Sequence, residues 1–157
     1  MSQAITSSAI EPALDVHDDS GLYVTMRIDR QLFGIPVKYV RDVLRQQKIT
    51  SIPLAPKEVS GSLNLRGRIV TVFEVRKRLG LPDSASEDKN MFVVVELKGE
   101  LYSLMVDSVG DVLTVSAAVV EKPPANLDGE WKEISTGIYK LGSELLVIID
   151  IQTLLTI

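Results

Sequence analysis

From Leu22 onward, short apolar runs alternate with pairs of turn residues. Leu22 to Ile28 reads as a strand, Asp29-Arg30 as a tight turn, and Gln31 to Ile35 as the returning strand. Pro36 is placed to open a short helix, with Val37, Val40, Val43 and Leu44 on one face. Ser60–Leu65 and Arg68–Val75 form a second hairpin around Arg66-Gly67, where glycine supplies the positive φ of a tight reversal. Arg76 to Gly80 reads as one helical turn ended by glycine, and Pro82 to Asn90 as a linker.

Past the linker the chain repeats itself. Leu22–Leu44 lies over Met91–Leu113 at a constant offset of 69. Val24, Leu32, Val37, Val40, Asp42, Val43 and Leu44 recur there as Val93, Leu101, Val106, Val109, Asp111, Val112 and Leu113. A second stretch repeats at an offset of 76, matching Gly61 with Gly137, Leu65 with Leu141 and Glu74 with Asp150. Turns coincide in both alignments. Each half is therefore hairpin, short helix, hairpin, short helix. Strands this short hide their edges by curling, which predicts two small β-barrels related by a pseudo-two-fold axis and sharing a hydrophobic core. The first barrel is expected at about residues 21–82 and the second at about 90–157. Ala117 to Trp131 reads as irregular, with Trp131 anchoring a Pro-rich loop.

Charge changes the picture at one end. The chain of 157 residues carries a net charge of −4. Residues 1–20 hold Glu11, Asp15, Asp18 and Asp19 with no Lys or Arg, so the rest is neutral. These first residues read as a disordered acidic tail, and His17 there reads as solvated. A neutral body lacks the positive excess of a general nucleic-acid or membrane-surface binder. The longest apolar runs, such as Met91–Val95, are too short to cross a bilayer. The expectation is a soluble cytoplasmic protein.

Candidate chemistry is sparse. With Cys 0 and His 1, thiolate metal sites and cysteine nucleophiles are excluded, and most imidazole chemistry with them. No nucleophile elbow, phosphate loop, dinucleotide fingerprint or zinc-helix motif is present. Glu74 and Asp150 read as helix caps, a role that suits Asp150 better. Arg66, Arg68, Arg76, Lys77 and Arg78 form a local basic cluster. It gives the alternative function, a small β-barrel nucleic-acid binder, although interleaved stacking aromatics are missing. No catalysis, cofactor or metal is expected.

Gly61 to Val70, with its Asn64-Leu65-Arg66-Gly67 core, resembles the signature of the CheW family, the bacterial chemotaxis coupling proteins. Glu74-Val75-Arg76 stands where that family carries Asp-Leu-Arg. Phe33-Gly34-Ile35, the approach through Ile52-Pro53, Val106 to Val112 and Leu145 to Leu155 are also similar to the family. The resemblance implies a mainly β fold of two five-stranded, SH3-like barrels with short helices. It also implies a non-catalytic adaptor, monomeric in isolation and without membrane insertion. Its partners would be the cytoplasmic tips of chemoreceptors and the regulatory domain of the histidine kinase CheA, at membrane-associated receptor arrays. By resemblance the receptor-facing residues are Val37, Val40, Val43, Gly61, Asn64, Arg66 and Val112. Asp42, Met91 and Phe92 would face the kinase. From periodicity alone, these valines read as core and Asn64 as a turn residue.

Overall fold

The computed structural model describes residues 21–45, 47–82, 90–116, 120–122 and 129–156. The acidic leader with His17, linker positions 83–89 and Pro123-Pro124 lie outside the described residues. Ten strands run in order: β1 (Leu22–Ile28), β2 (Gln31–Pro36), β3 (Val40–Leu44), β4 (Val59–Leu65), β5 (Arg68–Glu74), β6 (Met91–Leu97), β7 (Glu100–Val106), β8 (Ser108–Thr114), β9 (Ser135–Leu141) and β10 (Glu144–Ile149). Among the described residues three short α-helices join them: α1 (Val75–Arg78), α2 (Gly129–Ile134) and α3 (Ile151–Leu155).

The hairpins follow from turn chemistry. Asp29-Arg30, Arg66-Gly67 and Lys98-Gly99 each place both central residues at positive φ, and Gly142 does so at the first position of the fourth turn. Two-residue loops of this kind match the right-handed twist of the strands they join. At the helix starts, Asp150 accepts hydrogen bonds from the Gln152 and Thr153 backbone N–H groups. Glu74 makes no such cap bond and instead faces Lys77 at 3.8 Å. Gly80, at φ 73°, closes the α1 turn as expected.

The short helix expected between the hairpins of each half is a strand, and in the second half it is β8. Only Val37–Tyr39 turns, as a single turn of 3-10 helix, and Val40–Leu44 continues as β3. The β-branched valines pack better on a pleated surface than in a helix, and β6 offers them a partner through Val40–Val95 and Val43–Val93. Trp131 likewise lies on α2 rather than in an irregular loop. Its ring meets Phe33 with centroids 5.3 Å apart.

The strands form two five-stranded sheets, ordered β8-β1-β2-β10-β9 and β3-β6-β7-β5-β4. Under the internal repeat the two orders are the same order, so the pseudo-two-fold symmetry is present in the fold. The halves and the sheets do not coincide, however. Each sheet takes one hairpin from one half and three strands from the other, so neither sheet is confined to 21–82 or to 90–157. The joins are the antiparallel pairs β1·β8 and β3·β6 and the parallel pairs β2·β10 and β5·β7.

Both faces of the central strands are buried, and β6 shows how. Val93 and Val95 enter a joint core between the sheets, while Phe92 and Val94 enter a smaller core inside the second sheet. That is why Met91–Val95 is a continuous apolar run and not an alternating one. The joint core includes Met26, Ile28, Phe33 and Ile35 from the first sheet and Phe73, Leu104 and Val106 from the second. Burying a side chain of this kind contributes about 1.5–3 kcal/mol, so this layer dominates the stability. Leu32, Leu146 and Val115 start the separate core of the first sheet.

Candidate functional site

The second sheet curls until its edges meet. Strands β3 and β4 are its two edges, yet Leu44 and Ile49 pack in one cluster with Leu63 and Leu65. Thr50, beyond β3, exchanges two backbone hydrogen bonds of 2.8 Å with Ser62 on β4. This approach requires Gly61, which sits at φ 151°, and a Cβ there would overlap the Thr50 carbonyl oxygen. Gly61 is buried, so its part in any interface is architectural.

The β4–β5 turn rises from that closure. Asn64 Oδ1 accepts a hydrogen bond of 3.0 Å from the Gly67 N–H, which fixes the reversal. Arg66 sits between them at φ 51° with its side chain 76% exposed. Its guanidinium reaches Asp42 Oδ2 on β3 at 3.1 Å, from one edge of the sheet to the other. Of the signature residues, then, Gly61 closes the sheet, Asn64 and Gly67 build the turn, and Arg66 is what the turn presents.

The remaining expected residues divide by exposure and by sheet. Val43 on β3 and Val112 on β8 are exposed, and they are equivalent positions of the repeat. Val37 and Val40 are half-buried, with Val40 packed against the joint core. Asp42 joins the Arg66 site directly, so residues expected on separate receptor and kinase faces lie side by side. Met91 is half-buried against the joint core. Phe92 is corrected outright: it is 3% exposed inside the second sheet, because strand alternation turns it inward with Val94. Sequence reasoning missed Ile69 and Leu145, exposed apolar residues just after equivalent turns. Their match at the offset of 76 was a usable signal.

The basic cluster does not form one surface. Arg76, with a side chain 13% exposed, donates to Asp107 through Nε (2.9 Å) and Nη2 (2.6 Å). It also donates to the Pro82 carbonyl at 2.8 Å and lies 3.7 Å from Asp29. Burial opposes ionisation of Asp107, but hydrogen bonds from Arg76 and the Asp29 N–H, with the Arg76 charge, hold its pKa below the ordinary value. Arg78 donates to the Leu154 and Thr153 carbonyls and meets Glu133 at 3.4 Å, tying α1 to the closing helix. Two of the five cations are thus structural bolts between elements. Planar guanidinium suits this work, since it fills several acceptors at once.

At the equivalent end of the first sheet, Arg27 donates to Glu144 through two bonds of 2.6 and 3.1 Å. The bond from Arg27 lowers the Glu144 pKa against its desolvation. A cleft of about 340 Å³ opens beside them, lined by Thr25, Ser108, Gly110 and Asp111 among others. Among the described residues no group of three or more His, Cys, Asp or Glu is placed to hold a metal ion, and no helix is long and apolar enough to cross a membrane.

Comparison with known proteins agrees with this architecture. Residues 22–157 match the family model of the CheW-like domain. The chemotaxis protein CheW of Treponema pallidum is 28% identical over 143 residues, covering 88% of this chain and 84% of that one. The CheW protein of Bacillus subtilis is 27% identical over 132 residues, covering 84% and 85%. Among solved structures, the scaffolding protein TtCheW of Thermoanaerobacter tengcongensis superposes with a TM-score of 0.78 at 27% identity, over 87% of this chain and 88% of that one. The signature turn, the duplicated sheets and a match over nearly the whole described chain lead to one assignment: this protein belongs to the CheW-like domain family.

Proposed function

We propose that the chain is a non-catalytic scaffold of chemotaxis signalling that couples chemoreceptor tips to the histidine kinase CheA. The observation that carries this reading is the architecture of the signature turn. Gly61, Asn64 and Gly67 are committed to geometry, and the one long side chain they present is an exposed arginine beside an acidic residue. Such a group recognises carboxylates or carbonyl ends on a partner with two parallel hydrogen bonds. Val43 lies next to Asp42 on β3, and exposed Val112 occupies the equivalent place on β8, so helix knobs would pack against valines. Val37, Val40, Val43, Arg66 and Val112 are therefore the proposed receptor-facing set, with Asn64 acting through the turn. Asp42 and Met91 are retained for the kinase side, and recruitment to receptor arrays at the membrane follows from the two partners.

The test is a sedimentation assay with receptor-bearing membranes, CheA and this protein, with kinase activity read in parallel. The wild type is expected to pellet with receptors and to switch on the kinase only when all three are present. Arg66→Ala should weaken both readouts with an unchanged melting curve. A variant that unfolds instead would make Arg66 structural and remove it from the proposed site. Indifference of the kinase to the wild type would end the coupling reading for this receptor and kinase pair. The nucleic-acid alternative gains no observation, since Arg76 and Arg78 are occupied by internal acceptors.

A further inference from the structure

The strand pairings sort into two kinds. Among the described residues, only hairpins pair within each half, β1·β2 and β4·β5 in one and β6·β7 and β9·β10 in the other, apart from one isolated bridge apiece. Every remaining ladder runs between halves: β1·β8, β2·β10, β3·β6 and β5·β7. The joint core is likewise filled from both, with Ile35 and Phe73 from the first half and Val93, Val147 and Ile151 from the second. Arg78 on α1 and the α3 carbonyls add a polar bolt across the same divide. Neither half can complete a sheet alone. The halves are joined covalently through one segment, Pro82 to Asn90 in the sequence.

From this we infer that the two halves are exchangeable between copies, and that a second copy of this chain is a partner through reciprocal exchange of residues 21–82 and 90–157. In such a dimer the first half of each chain completes its sheets with the second half of the other. Every ladder and every core contact of the monomer is remade, and no new interface is needed. Domain exchange of this kind is a low-cost route to dimers. What favours the monomer is then chiefly the effective concentration imposed by the linker, about millimolar for a short one. Exchange also requires four ladders and the joint core to open together, so folded monomers should not interconvert on mixing. Each exchanged dimer would carry two complete Arg66–Asp42 sites.

The experiment uses the full chain in two versions, one isotopically heavy, read by native mass spectrometry and light scattering. Mixed while folded, the two are expected to stay monomeric. Unfolded together in urea and refolded, they should give dimers whose share rises from about a hundredth at 10 µM to about a half near 1 mM, following the linker's effective concentration. Half of those dimers should be of mixed mass, and they should persist on dilution. Purely monomeric product from the concentrated refolding would overturn the inference. So would dimers that form on native mixing or vanish at once on dilution, since those are surface contacts. A full chain with a protease site in place of residues 84–88 gives a second reading without refolding. After cleavage of the folded protein the halves should elute as one body with an unchanged circular dichroism spectrum, and two separate folded bodies would sink the inference.

Discussion

The β4–β5 turn of the second sheet and the β9–β10 turn of the first occupy equivalent places in a duplicated fold, yet they carry different chemistry. At the first, Arg66 stands out beside Asp42. At the second, Gly142 and Ser143 stand in place of Arg66 and Gly67, while Asp111 still stands where Asp42 would. The supporting architecture is shared. Gly61 and Gly137 match, and each lies against an outer segment bridged to its strand, Thr50 to Ser62 and Glu121 to Ile138. Duplication thus preserved what the backbone needs and released what the surface presents. A long cation at one end of a symmetric body makes its two ends unequal for binding.

The strongest way to break the comparison is at the paired glycines. Gly61→Ala places a Cβ on the Thr50 backbone, and near the Ile49 side chain, at a φ of 151°, and the backbone contact cannot yield as a side chain can. Overlap and strain together should cost about 3–4 kcal/mol in urea unfolding. Gly137→Ala meets chiefly the Val120 side chain, which can shift, so about 1–2 kcal/mol is expected. Equal losses at the two positions would show that the outer segments are not held differently.

Next in size is the bolt that only one end possesses. Arg76→Ala leaves Asp107 facing the Asp29 N–H without its cation and should cost about 2–3 kcal/mol, below a fully buried pair because Asp107 is partly solvated. The repeat places Gln152 at the position equivalent to Arg76, and Gln152→Ala should be nearly silent. The same site sets an acid limit. Because the folded Asp107 pKa is lowered, its stabilisation is fully present above the unfolded value of about 4 and is lost as pH falls below that value through the lowered folded one. Urea midpoints measured between pH 6 and 3 should fall less steeply for Arg76→Ala than for the wild type.

Smaller effects sharpen the contrast. Ser103 on β7 is fully buried with no hydrogen-bond partner for its hydroxyl, and its repeat equivalent is Gly34. Ser103→Ala removes an unsatisfied group and should raise stability by about 1 kcal/mol in the same assay. Smallest of all, Arg66→Ala should change stability by less than about 0.5 kcal/mol, as expected for an exposed ion pair. Under the proposed function its effect is expected in receptor binding and not in stability.

Much of this was legible from the chain. The four tight turns announced themselves through Asp29-Arg30, Arg66-Gly67, Lys98-Gly99 and Gly142-Ser143, and the repeat predicted the symmetry. The β3 strand was not legible, because the repeat carried the same short-helix expectation from Val40–Leu44 to its copy Val109–Leu113, and both are strands. Local helical spacing of valines misled there because a five-residue window fits either period. Phe92 was misplaced for a related reason. A run buried on both faces gives no sign of which core each residue enters.

What the sequence by itself determined is local or repeated: turn positions, the helix stop at Gly80, the Asp150 cap, the neutral body and the family signature. Those features depend on φ preferences and short-range hydrogen bonds, which neighbouring residues decide. Tertiary structure alone decided how hairpins are shared between the sheets, that Arg66 meets Asp42 across a curled sheet, and that Arg76 and Arg78 turn inward. Each of these is a contact between residues far apart in sequence, chosen by which apolar faces can be buried together. No local preference encodes that choice.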